Sequence, residues 1–200
     1  IAGFGWGAAW LGPDGGLRTH RTTRAFRDDA EGRARLGEAE TRALLVHLRR
    51  PSRLSTLTLA DAQPFADPAG RFTFAHNGDF RDWRSWRERY RAAGRIAGRA
   101  DSEVGARWLE DAWDGCPPAD VLGELHRTLG GQANLALLTS AGTGHVYAGN
   151  SENPLFGFRL DGIAVVSSGI HSLDRSLFRL VVPDARERRL VRAGETVTLG

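Results

Sequence analysis

The stretch FTFAHNGDFRDW runs from Phe72 to Trp83. Its first half alternates as a buried strand does. His76, Asn77 and Gly78 then interrupt the pattern, and an aromatic-rich helical pattern begins at Phe80. Asn-Gly is a common turn pair, and a turn would account for the interruption. A second reading uses the same residues. At a corner between strand and helix, the Asn77 side-chain amide and the Gly78 backbone N–H can converge on one oxygen, which is the geometry of an oxyanion hole. From this stretch alone both readings stand.

Working outward, GFGWGAAWLGPDGGLRTHR reads as a hairpin turning at Pro13-Asp14-Gly15-Gly16. Asp28–Arg42 has the composition of an exposed helix, and ALLVHLR (Ala43–Arg49) that of a buried strand stopped by Pro51. From Phe80 onward Phe80, Trp83, Trp86, Arg87 and Tyr90 fall near one helical face, which predicts a packing element and not a nucleic-acid surface. DSEVGARWLEDAW predicts a second helix with Asp101 or Ser102 as N-cap, and ADVLGELHRTL a third. After Gly130-Gly131 the pattern is all strand: QANLALLT, HVYAGN, PLFGFRL, GIAVVSS and ETVTLG. No repeat, linker or composition break divides residues 1–200, so one α+β domain with helices on antiparallel sheets is expected.

Two hundred residues suit one domain with a sizeable core. All 27 basic residues are arginine, and methionine is absent. The isoelectric point is about 9.9. The formal net charge is only +3, with 24 acidic residues interspersed, so a nucleic-acid partner is not expected. No apolar run reaches the length of a membrane span, and no membrane partner is expected. The single cysteine, Cys116, excludes an internal disulfide framework and a multi-cysteine zinc site, and fits a cytoplasmic location. The six histidines are not spaced as ligands; neither a metal nor a cofactor is expected.

Two further stretches carry charge at positions that suit a small ligand. VHLRRPS places Arg49 at a strand's mouth, where a guanidinium can grip a carboxylate in a bidentate fork, although a surface arginine reads the same way. ADSE (Ala100–Glu103) reads first as a helix cap, and Asp101 could also accept from an ammonium group. His47 reads as a hydrogen-bonded core residue. Together Arg49, Asp101 and Asn77-Gly78 would hold an amino acid by its α end while its side-chain carbonyl reacts.

GWGAAW, VHLRRPS, QPF (Gln63–Phe65), FAHNGDF, ADSE and NPLFGFRLDGIAVVSS, in this order, resemble the class II glutamine amidotransferases, glutaminase domains of the N-terminal-nucleophile hydrolase superfamily. The resemblance spans nearly the whole chain. It implies a four-layer αββα sandwich. It also implies that Asn77 and Gly78 form the oxyanion pair, that Arg49 and Ser52 contact the glutamine α-carboxylate end, and that Asp101 holds the α-amino group. His76 belongs to the signature without a proton-transfer duty and is expected behind the site. The family nucleophile is a cysteine at the mature N-terminus, whereas position 1 here is Ile1 and only five residues precede Trp6. The expectation is therefore that the first strand and its cysteine are absent from the sequence given. Arg50-Pro51 and VSSGI also depart from the family pattern.

The resemblance implies hydrolysis of glutamine or another γ-glutamyl amide through a cysteine thioester, with ammonia passing to a separate subunit or to solvent. The alternatives are a catalytically inactive relative serving as a binding module, and an arginine-rich nucleic-acid binder built around Arg81, Arg84, Arg87 and Arg91.

Overall fold

A computed structural model describes residues 3–50, 54–168 and 182–200. Strands β1 (Trp6–Leu11) and β2 (Leu17–Thr22) form the expected hairpin, and β3 (Leu44–Leu48) pairs with the other edge of β1. The helix between β2 and β3, α1 (Ala30–Gly37), is much shorter than Asp28–Arg42. It is held at its start by Asp29, whose Oδ1 accepts the Gly32 N–H. Asp29 Oδ2 accepts from Trp6 Nε1 and lies 2.7 Å from His20 Nε2. These bonds fix α1 against the outer face of the β1 sheet.

The second sheet has the order β11-β7-β6-β5-β4: β4 (Phe65–Ala66), β5 (Phe72–Phe80), β6 (Gly131–Thr139), β7 (Gly144–Gly149) and β11 (Thr196–Leu199). Phe72, Phe74 and Phe80 alternate onto one face of β5, with Leu135 and Leu137 beside them on β6. Helices α2 (Trp83–Ala92), α3 (Asp101–Ala112) and α4 (Pro118–Leu129) cover that face. Tyr90, Leu109, Leu122, Leu125 and Leu129 are fully shut off there. At about 25 cal/mol per Å² of apolar surface, this burial is the main stabilising contribution.

Strands β8 (Phe156–Leu160), β9 (Ile163–Ser167) and β10 (Arg186–Leu190) make a third, three-stranded sheet. Leu155 and Val166 pack on Val146, Ala148 and Val197, on the side of the five-stranded sheet away from the helices. The β1 sheet lies on that same side: a Cβ on Gly7 would strike the Gln63 carbonyl at 2.1 Å, and β3 packs on β6, whose other face the helices cover. Helices, sheet, sheets and α1 thus follow one another as layers, as expected for the αββα arrangement.

Three further readings need correction, and one strand was missed. The strand β5 does not stop at His76 but runs on through Asn77 and Gly78 to Phe80, paired with β6 throughout. The following helix accordingly starts at Trp83, with Phe80 still in the strand. β3 is an edge strand and is not buried: Leu44, Val46 and Leu48 alternate outward and are exposed. β10, reading RERRL, escaped the sequence reading because all five of its residues are exposed and carry no apolar alternation.

Candidate active site

Gly78 sits in β5 at φ +143°, and a Cβ there would lie 1.7 Å from the Gln132 carbonyl oxygen. Only glycine lets the two strands approach at this point. Glycine is therefore required here by a close backbone contact within a sheet, not by a turn.

Side chains alternate across β5, so His76 faces the helices and Asn77 faces the opposite sheets. Asn77 stands opposite Asn134 on β6. Its Nδ2 donates to Ser168 Oγ at 3.1 Å, just past the end of β9. Asn134 Oδ1 accepts the N–H groups of Gly149 and Asn150, and its Nδ2 donates to the Asn153 carbonyl at 2.6 Å. Asn150 Nδ2 donates to the Asn77 carbonyl at 3.4 Å. Asn77 is thus the head of a polar group comprising Asn134, Asn150 and Ser168.

The backbone groups of β5 alternate between its two edges. The Phe72 carbonyl accepts from Asp67 on the β4 edge. His76 offers both its backbone groups to the Gln63 side chain, and the Phe80 N–H donates to Asp101 Oδ2 at 2.7 Å. The same alternation puts the Gly78 N–H on this edge, between His76 and Phe80. Pairing with β4 reaches only to Phe74, so among the described residues no strand covers the edge here.

Asp101 begins α3, but it is not the N-cap. Ala100 holds that position, and the Asp101 carboxylate turns outward to Phe80 and to its neighbour's N–H, Ser102, at 2.9 Å. The backbone before the helix is held by Asp61, whose Oδ1 accepts from Arg99 N–H and from Ala100 N–H at 2.7 Å. A carboxylate has about four acceptor positions, so Asp101 keeps capacity for a further donor. Burial raises its pKa above the ordinary carboxylate value, against the lowering effect of those backbone N–H groups.

Arg49 follows β3 and is 5% exposed. Its backbone N–H donates to Gly5, and its guanidinium donates to the Thr56 and Thr58 carbonyls. Burial lowers its pKa and the charge of Asp61 opposes that effect. Thr58 Oγ1 in turn bonds Asp61. Asp61 thus joins the surroundings of Arg49 to the start of α3, where Asp101 stands. Ser52 lies outside the described residues.

His76 lies behind the strand, 2% exposed and stacked on Phe80 at 4.1 Å between ring centroids. Its Nδ1 is 3.0 Å from Ser102 Oγ, and Nε2 has no partner among the described residues. Burial lowers its pKa to about 3, so the ring is neutral. Cys116 sits beyond α3, packed against the helical core, with its thiol pKa raised by burial and by Glu124 and Asp120. That is the wrong environment for a reactive thiolate. Among the described residues no cluster of His, Cys, Asp and Glu suits a metal ion, and no helix is long and apolar enough to cross a membrane.

Gln63, Asp61, Ser102, Asn134, Asn150 and Ser168 were not singled out as site residues in the sequence. The one signal available was an asparagine inside the otherwise apolar strand QANLALLT.

No protein-family model matches the chain, and no curated protein matches it. Solved structures do. The fold superposes over 98% of this chain on glutamine phosphoribosylpyrophosphate amidotransferase from B. subtilis, complexed with ADP and GMP, at TM-score 0.73 and 19% identity. It superposes equally widely on the allosteric regulatory enzyme of purine biosynthesis, at TM-score 0.75 and 18% identity. The chain spans 40% and 41% of those two proteins. A glutamine aminotransferase class-II domain protein from Silicibacter pomeroyi matches at TM-score 0.65 and 19% identity, over 98% of this chain and 87% of that one. What this chain shares with these amidotransferase and aminotransferase structures is the fold.

Proposed function

We propose that residues 1–200 form one glutaminase-type domain that binds glutamine, or another γ-glutamyl amide, and promotes cleavage of its side-chain amide. The observation that carries this reading is the uncovered edge of β5. There the Gly78 N–H lies between two backbone groups already held by Gln63 and Asp101, with the Asn77 amide next to it in the chain.

In this reading Asp101 takes the substrate α-ammonium, which favours the ionised carboxylate despite its raised pKa. Arg49 takes the α-carboxylate by exchanging its loop carbonyls for a stronger charge-assisted fork, with Ser52 beside it. The side-chain carbonyl then points at Asn77 and Gly78. A cysteine thiolate attacks the carbonyl carbon, and the electron pair moves to oxygen, where the two N–H groups stabilise it. The C–N bond breaks and the nitrogen leaves as ammonia after taking a proton. Water then hydrolyses the thioester to glutamate and regenerates the thiol. Cys116 is not that nucleophile; the role falls to a cysteine outside these residues. The ammonia goes to solvent or to an acceptor subunit.

The test is incubation of the native gene product with L-glutamine, with glutamate and ammonia quantified separately. Equimolar release of both supports the reading. Saturable glutamine binding without release turns it into a binding module, and the absence of both refutes it.

A further inference from the structure

Phe65 stands opposite Phe74 in the β4–β5 pair, and continuing that register brings Gln63 opposite His76. The strand pairing nevertheless ends at Phe65, and the Gln63 side chain takes over where the backbone leaves off. Its Oε1 accepts the His76 N–H at 2.6 Å, and its Nε2 donates to the His76 carbonyl at 3.1 Å. Nε2 also donates to Ser102 Oγ at 3.1 Å, and that hydroxyl lies 3.0 Å from His76 Nδ1. Gln63, His76 and Ser102 are all buried. A carboxamide offers one acceptor oxygen and two N–H donors, and Gln63 uses all three. A buried polar network satisfied in this way holds a single arrangement.

The ring is next in sequence to the candidate site on both sides. His76 precedes Asn77, and Ser102 follows Asp101. Neither Gln63 nor Ser102 belongs to the set that would touch an amino acid. The ring instead ties the strand carrying Asn77 and Gly78 to the helix carrying Asp101.

We propose that Gln63 is a positioning residue: its carboxamide replaces a strand beside His76 and, through Ser102, fixes the spacing between Asn77–Gly78 and Asp101. This rests on the glutamine reading above and deepens it. A site that holds an ammonium at one end and a carboxamide at the other measures the methylenes between them. Asparagine, one methylene shorter, cannot satisfy both ends, so the ring sets the preference for glutamine.

Equilibrium titrations with L-glutamine and with L-asparagine, followed by NMR, test this on the parent, Gln63→Met and Ser102→Ala. The glutamine-over-asparagine preference should fall about tenfold in Gln63→Met and a few-fold in Ser102→Ala, the scale of one or two hydrogen bonds. A merely structural role would weaken both amino acids equally and leave the ratio alone. A folded Gln63→Met with the parental ratio overturns the proposal; should that variant fail to fold, an unchanged ratio in Ser102→Ala does so. A parent that binds neither amino acid refutes the glutamine reading and this inference together. A parent that binds glutamine, with variants of unchanged preference, refutes only the positioning role.

Discussion

Asn77 Nδ2 donates to Ser168 Oγ at 3.1 Å, joining β5 to the end of a strand 91 residues further along the chain. In the proposed reaction this N–H turns from the hydroxyl to the oxyanion, so Ser168 orients the donor at rest and takes no part in bond making. Ser168→Ala should cost about 1 kcal/mol of stability, the usual worth of one neutral hydrogen bond. It should keep glutamine turnover within about tenfold of the parent, the factor that a 1.4 kcal/mol change in the barrier would give. Urea melts and glutamate release check the two halves.

Gly78 and Gly15 make a matched pair for backbone chemistry. Both have positive φ, but a Cβ on Gly15 meets nothing within 4 Å, whereas one on Gly78 meets the Gln132 carbonyl at 1.7 Å. Gly15→Ala should cost about 1–2 kcal/mol, the left-handed penalty alone. Gly78→Ala should cost well over 3 kcal/mol, since overlap with the Gln132 backbone on the paired strand adds to that penalty. Denaturant unfolding of both variants decides the order.

Two histidines should make the fold sensitive to mild acid. Burial, with the charges of His76 and Arg49, lowers the His47 pKa to about 4, and burial lowers that of His76 to about 3. His47 as a residue is only half-buried, but its Nδ1 is shut off from solvent. The unfolded chain protonates both near pH 6.5. Between there and about pH 4 the unfolded state binds more protons, so stability falls as pH falls, by up to about 1.4 kcal/mol per pH unit for each ring. Below about 4 only His76 continues the loss, down to about 3. The raised pKa of Asp101 pushes the other way, because the folded state then gains a proton the unfolded state lacks. Chemical denaturation from pH 7 to 4.5 should show the slope, and His76→Gln should flatten part of it.

Arg49 should be irreplaceable by lysine. Its planar fork matches a carboxylate and the pair of loop carbonyls that it holds in the free protein. Arg49→Lys and Arg49→Ala should both weaken glutamine binding by about tenfold or more, with the amide-cleaving step less affected. Calorimetry with L-glutamine checks this, and parental affinity in Arg49→Lys would leave only a charge requirement.

Much of the architecture was legible where local chemistry and burial agree. Pro13-Asp14-Gly15-Gly16 marked the β1–β2 hairpin, and the aromatic spacing of Trp83, Trp86 and Tyr90 marked a helix that packs inward. The stretch around Asn77 was read as a corner, and it is continuous strand. Asn-Gly carries a turn signal, while the reason for Gly78 is the Gln132 carbonyl on a strand 54 residues on, which no local pattern reveals. The same limit hid Gln63 and Ser102, whose partners lie 13, 26 and 39 residues away. The reading of Asp101 as a helix cap failed for a related reason. The sequence shows a carboxylate at a helix start but not the Phe80 N–H that competes for it.

The central claim is that Asn77 and Gly78 stabilise an oxyanion formed on a glutamine side chain. Asn77→Ala in the native gene product tests it most directly, with kcat and KM for glutamate release measured beside a melting curve. Loss of one oxyanion donor should lower kcat by roughly 10²–10³-fold with a much smaller change in KM. A folded Asn77→Ala enzyme that releases glutamate at the parental rate would contradict the account.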